Sequence, residues 1–213
     1  MGKRILGIDP GTGICGFGVI DFEKHKSPRM VTAGVVTTPA HTPLADRLLD
    51  IYQSISQIID ETHPDEVSIE KLFFNQNITT GITVAEARGV VILVARQHDL
   101  PIFEYTPLQI KQTLTGYGRA KKADMQEAVR QFLNMREIVK PDDAADALAA
   151  AVCHANLNRT KELSRRAAGN QIYEAERAQL ELAREEAREV TAAATAANVA
   201  RMREEQRNRR TAS

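Results

Sequence analysis

Asp9 closes an apolar run, Lys3 to Ile8, and leads into a turn holding Gly11 and Gly13, with Gly16 just beyond. Glycines there let the backbone come close to a ligand and let a polar head leave the end of a strand. An aspartate that only caps the turn accounts for this residue equally well. Glu70 is more telling, because Val67, Ile69 and Leu72 flank it in a segment that reads as a buried strand, where a carboxylate needs a partner. The third group is Asp142, Asp143 and Asp146, in a run beginning at Pro141 and rich in alanine. Residues three apart share a helical face. Both Asp142 and Asp143 lie within about 60° of Asp146, so spacing does not choose between them. Capping and the helix dipole explain one or two acids at a helix start, but they explain Asp146, a turn further in, less well.

Two carboxylates about 4 Å apart repel by roughly 4 kcal/mol at an effective dielectric near 20. A group of three or four therefore protonates or disperses unless a cation holds it. Oxygen-only ligands select hard ions, Mg²⁺ or Mn²⁺, over zinc. Such ions activate water and stabilise a leaving oxygen, so hydrolysis of a phosphodiester is a natural use of the cluster.

A second constellation is basic. Lys111, Arg119, Lys121 and Lys122 fall within twelve residues, interleaved with Thr113, Thr115, Gly116, Tyr117 and Gly118. Cations beside a glycine loop can follow a phosphate backbone, although by composition alone a solvated surface is the simpler account. Phe73 and Phe74 open a polar stretch, Asn75-Gln76-Asn77, just after Glu70. One of the pair is expected in the core; the other can stack on unpaired bases or wedge between them. Tyr117, Gln76 and Arg88 are weaker candidates, and Arg88 could equally orient a carboxylate.

The elements that must position these residues follow from pattern. Strands are expected over Lys3–Ile8, Ile14–Phe22, Met30–Thr38, Glu66–Leu72 and Ile102–Tyr105. Helical periods are expected after Pro43, with Leu44, Leu48, Ile51, Ile55, Ile58 and Ile59 on one face, and from about Thr79 to Gln97. Shorter helices should cover Leu108–Leu114, Lys122–Leu133 and Asp143–Asn156. Three strands followed by alternating helices and strands predict an α/β fold, a mixed sheet with helices on both faces. After His154 the composition turns to Ala, Glu and Arg, which places a domain boundary near residue 158 and leaves 159–213 as a charged extension, helical or disordered. Arginines 201, 203, 207, 209 and 210 suggest that it contacts DNA or a partner; an inert solvated extension fits as well.

The 213 residues carry 28 Lys+Arg and 28 Asp+Glu, yet residues 1–158 hold 16 against 19 and residues 159–213 hold 12 against 9. Charge totals thus neither require nor exclude a polyanionic ligand. No apolar stretch approaches the roughly 20 residues that span a bilayer. Cys15 and Cys153 have no CxxC spacing, which suits packing residues in a reducing cytoplasm and argues against zinc. The five histidines show no metal spacing, and His154 reads as structural.

Together, Gly7-Ile8-Asp9-Pro10-Gly11-Thr12 with Gly16, Ile69-Glu70-Lys71-Leu72-Phe73, Ala87-Arg88-Gly89 and Asp142 to Ala149 resemble the RuvC family of Holliday-junction resolvases. The resemblance covers about residues 3–157. It implies a ribonuclease H-like fold and a two-fold homodimer, with the apolar helix around Ile82 to Val94 as its contact. It also implies divalent-metal hydrolysis that nicks two opposing strands of a four-way junction, alongside RuvA and RuvB branch-migration partners. The resemblance matches Asp9, Glu70, Asp143 and Asp146 to the family's catalytic, metal-binding acids and so prefers Asp143 to Asp142. It places Lys111 and Lys122 near the scissile phosphate and Phe73 as the stacking aromatic. Two other readings compete. The Asp-Pro-Gly-Thr turn also resembles the first phosphate loop of actin-like ATPases, but no second loop or adenosine site is evident. A junction-binding module that does not cut would lack one of the four acids, and all four positions are acidic.

Overall fold

The structure, a computed structural model, describes residues 2–23, 26–72 and 78–168, and isolated positions 181, 182, 185 and 188. Phe73, Phe74, Gln76 and the arginines near the end of the chain lie outside the described residues. Two compact units divide the chain, Met1–Thr160 and Lys161–Ser213, and the first carries the sheet.

Strands β1 (Lys3–Asp9), β2 (Ile14–Phe22) and β3 (Arg29–Thr37) form an antiparallel meander. Helix α1 (Leu44–Thr62) then returns the chain to β4 (Glu66–Glu70), and α2 (Ile78–Gln97) returns it to β5 (Ile102–Tyr105). Both β4 and β5 pair in parallel, giving the order β3-β2-β1-β4-β5. Helices α3 (Pro107–Thr115), α4 (Lys122–Phe132) and α5 (Asp142–Ala168) complete the order. Such crossovers demand helices on the sheet faces, and the apolar residues sort accordingly.

Alternation along the strands builds two cores. Leu6, Ile8, Val19, Val67 and Ile69 meet α1 through Ile51, Ile55 and Ile59 and α2 through Ala87, Val91 and Val94, all buried. On the other face Ile5 and Ile20 meet Leu148, Val152 and the small residues of α5, with Ile110, Leu114, Met125 and Val129 of α3 and α4 outside them. Glycines on that second face set how near α5 lies. A β-carbon on Gly7 would overlap the carbonyl oxygen of Ala147, and one on Gly18 would stand 2.6 Å from Leu148 Cγ. With alanine at 144, 147 and 151 on the facing helix, backbone packs nearly on backbone.

Local signals explain the boundaries. Thr106 caps α3 by accepting from the Gln109 N–H at 3.1 Å, while Gln109 returns a bond to the Thr106 N–H, and Pro107 takes the first helical position. Gly116, at φ 82°, ends α3 in the left-handed region that glycine enters without strain. Strand β4 stops at Glu70 rather than Leu72, although the Lys71 N–H still reaches Tyr105 O at 2.8 Å. Helix α5 runs to Ala168, twelve residues past the expected end at Asn156. The sequence offers neither glycine nor proline between Asn156 and Gly169, so nothing stops the helix where the apolar periodicity fades.

Candidate active site

The topology delivers three acid-bearing termini to one end of the sheet. Asp9 ends β1, Glu70 ends the parallel neighbour β4, and Asp143 lies in the first turn of α5 with Asp146 one turn on. Asp9 pairs in register with Gly16 of β2, and a β-carbon on Gly16 would overlap the carbonyl oxygen of Asp143. The start of α5 is thereby pressed against the strand beside Asp9.

The acids feel one another. Burial, then the charges of Glu70, Asp146 and Asp143, push the Asp9 carboxyl up to about 7, with Lys122 opposing. Glu70 is raised by burial and by Asp146, and Lys111 offsets part of this. Asp146 is raised first by burial, against the pull of Lys122, whose Nζ stands 3.4 Å from Asp146 Oδ2. Asp142 differs. It accepts from Lys140 Nζ and Gln126 Nε2, each at 2.9 Å, and lies 3.3 Å from Lys122 Nζ, and these bonds pull its carboxyl down to about 2. It is a satisfied acid at the helix start, whereas Asp143 acts on Asp9.

Glu70, Lys111, Lys122 and Asp146 line a cleft of about 250 Å³ floored by Pro107, Ile110, Met125 and Ala149. Lys111 on α3 and Lys122 on α4 thus come to the acids. Arg119 is exposed in the turn between those helices. Tyr117 is half exposed and donates from its hydroxyl to Asp124 at 3.0 Å. Arg88 is not with the four acids: it pairs with Glu104 of β5.

Among the described residues no three His, Cys, Asp or Glu side chains form a ready-made metal site. The four acids are within electrostatic reach of one another. The donor chemistry still fits a hard divalent ion. All donors are oxygens, and three acids crowd Asp9 against the partial relief of one lysine. Cys15 and Cys153 are both buried thiols raised to about 11, with no place in this site.

Sequence reasoning missed a second polar cluster on the same sheet face. Glu66, Ser68 and Glu70 alternate along β4 toward α5. Ser68 Oγ donates to Ala150 O at 2.7 Å, and Glu66 meets His154 Nε2 at 2.8 Å. His154 is fully buried, with Nδ1 2.6 Å from the Tyr105 hydroxyl and its ring 4.2 Å from that of Phe103. Lys3 closes the cluster by pairing with Glu66. The period-two alternation from Glu70 through Ser68 back to Glu66 was the available signal.

A mixed sheet whose first three strands are antiparallel, with acids ending β1 and β4 and opening α5, defines a ribonuclease H-like nuclease fold. The comparisons agree. A model of the RuvC family, "Crossover junction endodeoxyribonuclease RuvC", matches residues 5–154. A relative of that name from Clostridioides difficile is 46% identical over 168 residues, covering 79% of this chain and 99% of its own. One from Desulfitobacterium hafniense is 54% identical over 152 residues, covering 71% and 92%. The structure of Thermus thermophilus RuvC in complex with Holliday junction substrate superposes with a TM-score of 0.68 at 30% identity, covering 74% of this chain and 96% of that one. This chain belongs to the RuvC family of crossover junction endodeoxyribonucleases, whose members are divalent-metal dependent. Neither the ATPase nor the non-cutting reading is favoured.

Proposed function

We propose that this chain resolves Holliday junctions in DNA recombination and repair, hydrolysing one phosphodiester in each of two opposing strands as a homodimer. The observation that carries the reading is the convergence of Asp9, Glu70, Asp143 and Asp146 at one sheet end beside Lys111 and Lys122. Those four acids are the catalytic set that would hold a divalent cation, Mg²⁺ with Mn²⁺ able to replace it. Bound there, such an ion would supply charge stabilisation at the phosphate and lower the pKa of an attacking water.

The protein's own residues do the rest. Burial of Asp9 and Glu70 keeps their carboxylates poorly hydrated, so they favour a cation over bulk water. Lys122 balances Asp146, and Lys111 balances Glu70, so an incoming phosphate meets ammonium groups at the rim rather than unrelieved negative charge. Arg119, exposed between α3 and α4, extends this basic rim along the backbone. Phe73 and Phe74 supply the aromatic that stacks on bases unpaired at the crossover.

A dimer is supported by α2. Ile82 and Leu93 are 52% and 54% exposed, and Gly89 between them has open space where a side chain would stand. At 100° per residue the three fall within about 40° of one another, on a face that exposed Glu86 also shares, and the gap at Gly89 admits a second helix. RuvA and RuvB are its proposed partners, and the cytoplasm its proposed location; no described helix is long and apolar enough to cross a membrane.

The test is cleavage of a synthetic four-way junction and a matched linear duplex in Mg²⁺. Paired, symmetric nicks confined to the junction are expected. A chain that binds junctions tightly but cuts none across metals and junction sequences would contradict the reading.

A further inference from the structure

The cations recognised from the sequence, Lys111, Arg119 and Lys122, all lie on or between α3 and α4, on one side of the carboxylates. The opposite side is formed by the turn after Asp9 and the start of α1. Strand β3 is antiparallel to β2, which is antiparallel to β1, so β3 ends at the same sheet end as Asp9, with Thr37 in register with Ile14. The chain then enters α1, whose first turn holds Arg47.

Arg47 is braced there. Its Nε donates to Thr38 Oγ1 at 2.9 Å, and that hydroxyl donates to the Thr12 carbonyl at 2.5 Å. The Thr38 N–H reaches Gly13 O at 3.0 Å. Thr12 and Thr38 are 5% and 7% exposed, so the relay is fixed in the body of the turn. The guanidinium lies over Gly13, with one Nη 3.5 Å from where a β-carbon on that residue would stand. Gly13 is four residues past Asp9.

Other partly buried arginines have carboxylate partners: Arg4 with Asp21, Arg88 with Glu104, Arg130 with Glu127. Among the described residues Arg47 has no such ion pair, although Asp46 and Asp50 share its helix. A guanidinium oriented through Nε and left without a carboxylate keeps its Nη groups for an oxyanion, and a fork of that kind suits phosphate.

We infer that Arg47 binds a backbone phosphate of the DNA strand on the α1 side of the carboxylates, so that the strand crosses the site between Arg47 and the Lys111–Lys122 pair. The inference rests on the proposed junction-cleaving function. Cations on both flanks hold the strand in register over the acids, which lysines on one flank alone do not. Thr38 is a positioning residue: it carries no charge and acts by aiming Arg47.

The test is the salt dependence of binding to a synthetic four-way junction, with the metal withheld so that no strand is cut. Each phosphate neutralised adds about 0.9 to the slope of log affinity against log salt. Arg47→Gln keeps an amide donor for Thr38 and removes the charge. It should lower the slope by about 0.9, or about 1.8 if a dimer engages both copies. Arg47→Lys should keep the wild-type slope. Thr38→Val should weaken junction binding while leaving the slope closer to wild type than Arg47→Gln does, because the charge at Arg47 remains, whereas simple loss of fold would abolish binding altogether. A folded Arg47→Gln protein with the wild-type slope would overturn the inference alone. Wild-type protein that neither binds nor cuts junctions would overturn the proposed function with it.

Discussion

Gly16 of β2 and Asp143 of α5 are packed so closely that a β-carbon on the first would overlap the backbone carbonyl of the second. Because Gly16 is also the register partner of Asp9, one missing side chain fixes the separation of two acids 134 positions apart in sequence. Gly16→Ala must lift the start of α5 off the sheet. Overpacking of this sort costs about 1–3 kcal/mol. A displacement of about 1 Å at the site costs roughly 100-fold in rate. The expected result is a folded protein, less stable in urea, that binds junctions and cuts them at least about 100-fold more slowly. Near-normal cleavage would show that α5 does not need this contact to place Asp143.

Asp142 and Asp143 are adjacent but differently employed. Asp142 is satisfied by Lys140, Gln126 and Lys122, whereas Asp143 is one of the charges acting on Asp9. Asp143→Asn should remove detectable cleavage, and Asp142→Asn should leave it within a few-fold of wild type. Single-turnover rates on a four-way junction distinguish the two, and equal losses would return the choice to the ambiguity that helical spacing leaves.

Much of the architecture was legible because alternation and helical period are strong along this chain. β2 and β5 fall where Ile14–Phe22 and Ile102–Tyr105 were expected, and α1 buries Ile51, Ile55 and Ile59 from the predicted face. Glu70 and Asp146 stood out as charge in apolar surroundings, whereas Asp9, Asp143 in preference to Asp142, and Lys111 and Lys122 were singled out by the family resemblance. What pattern could not give was relations between distant segments. Arg47 looks like an ordinary surface residue of an amphipathic helix until β3 brings Thr38 against Thr12. Glu66 enters the sequence reading only as the first residue of a strand, and its partner His154 lies 88 positions away on α5. Arg88 had two possible uses by sequence, and only the strand order shows Glu104 within its reach.

Asp9 should make both metal binding and stability depend on pH. In the metal-free protein its carboxyl is held at about 7 by burial and by Glu70, Asp146 and Asp143, against 3.8 for an ordinary aspartate. Below pH 7 a cation must displace a proton, so the apparent Mg²⁺ affinity should fall up to about tenfold per pH unit and level off above 7. Between pH 4 and 7 the folded state binds more protons at Asp9 than the unfolded state. That stabilisation is present in full below about 4 and lost as pH rises through 7. Asp9→Asn removes the cost of ionising there and should stabilise the metal-free protein at pH 8 by on the order of 2 kcal/mol. Urea denaturation at pH 5 and pH 8 checks this; a variant less stable than wild type at pH 8 would contradict it.

His154 belongs to the fold rather than the chemistry. It is fully buried between Tyr105, Phe103 and Glu66, and its removal leaves a cavity and takes from the buried Glu66 one of its partners. His154→Ala should destabilise by about 2–5 kcal/mol. Cleavage per folded molecule should change little at a temperature where the variant remains folded. A large fall in cleavage without loss of stability would move His154 into the catalytic machinery.

The most direct measurement compares wild type with Asp9→Asn on a four-way junction in Mg²⁺, following binding and cleavage together. The substitution keeps the side chain's size and removes the charge at the centre of the carboxylate group. The account predicts junction binding close to wild type and no detectable nicks. Symmetric nicks by Asp9→Asn at a rate near that of the wild type would contradict it.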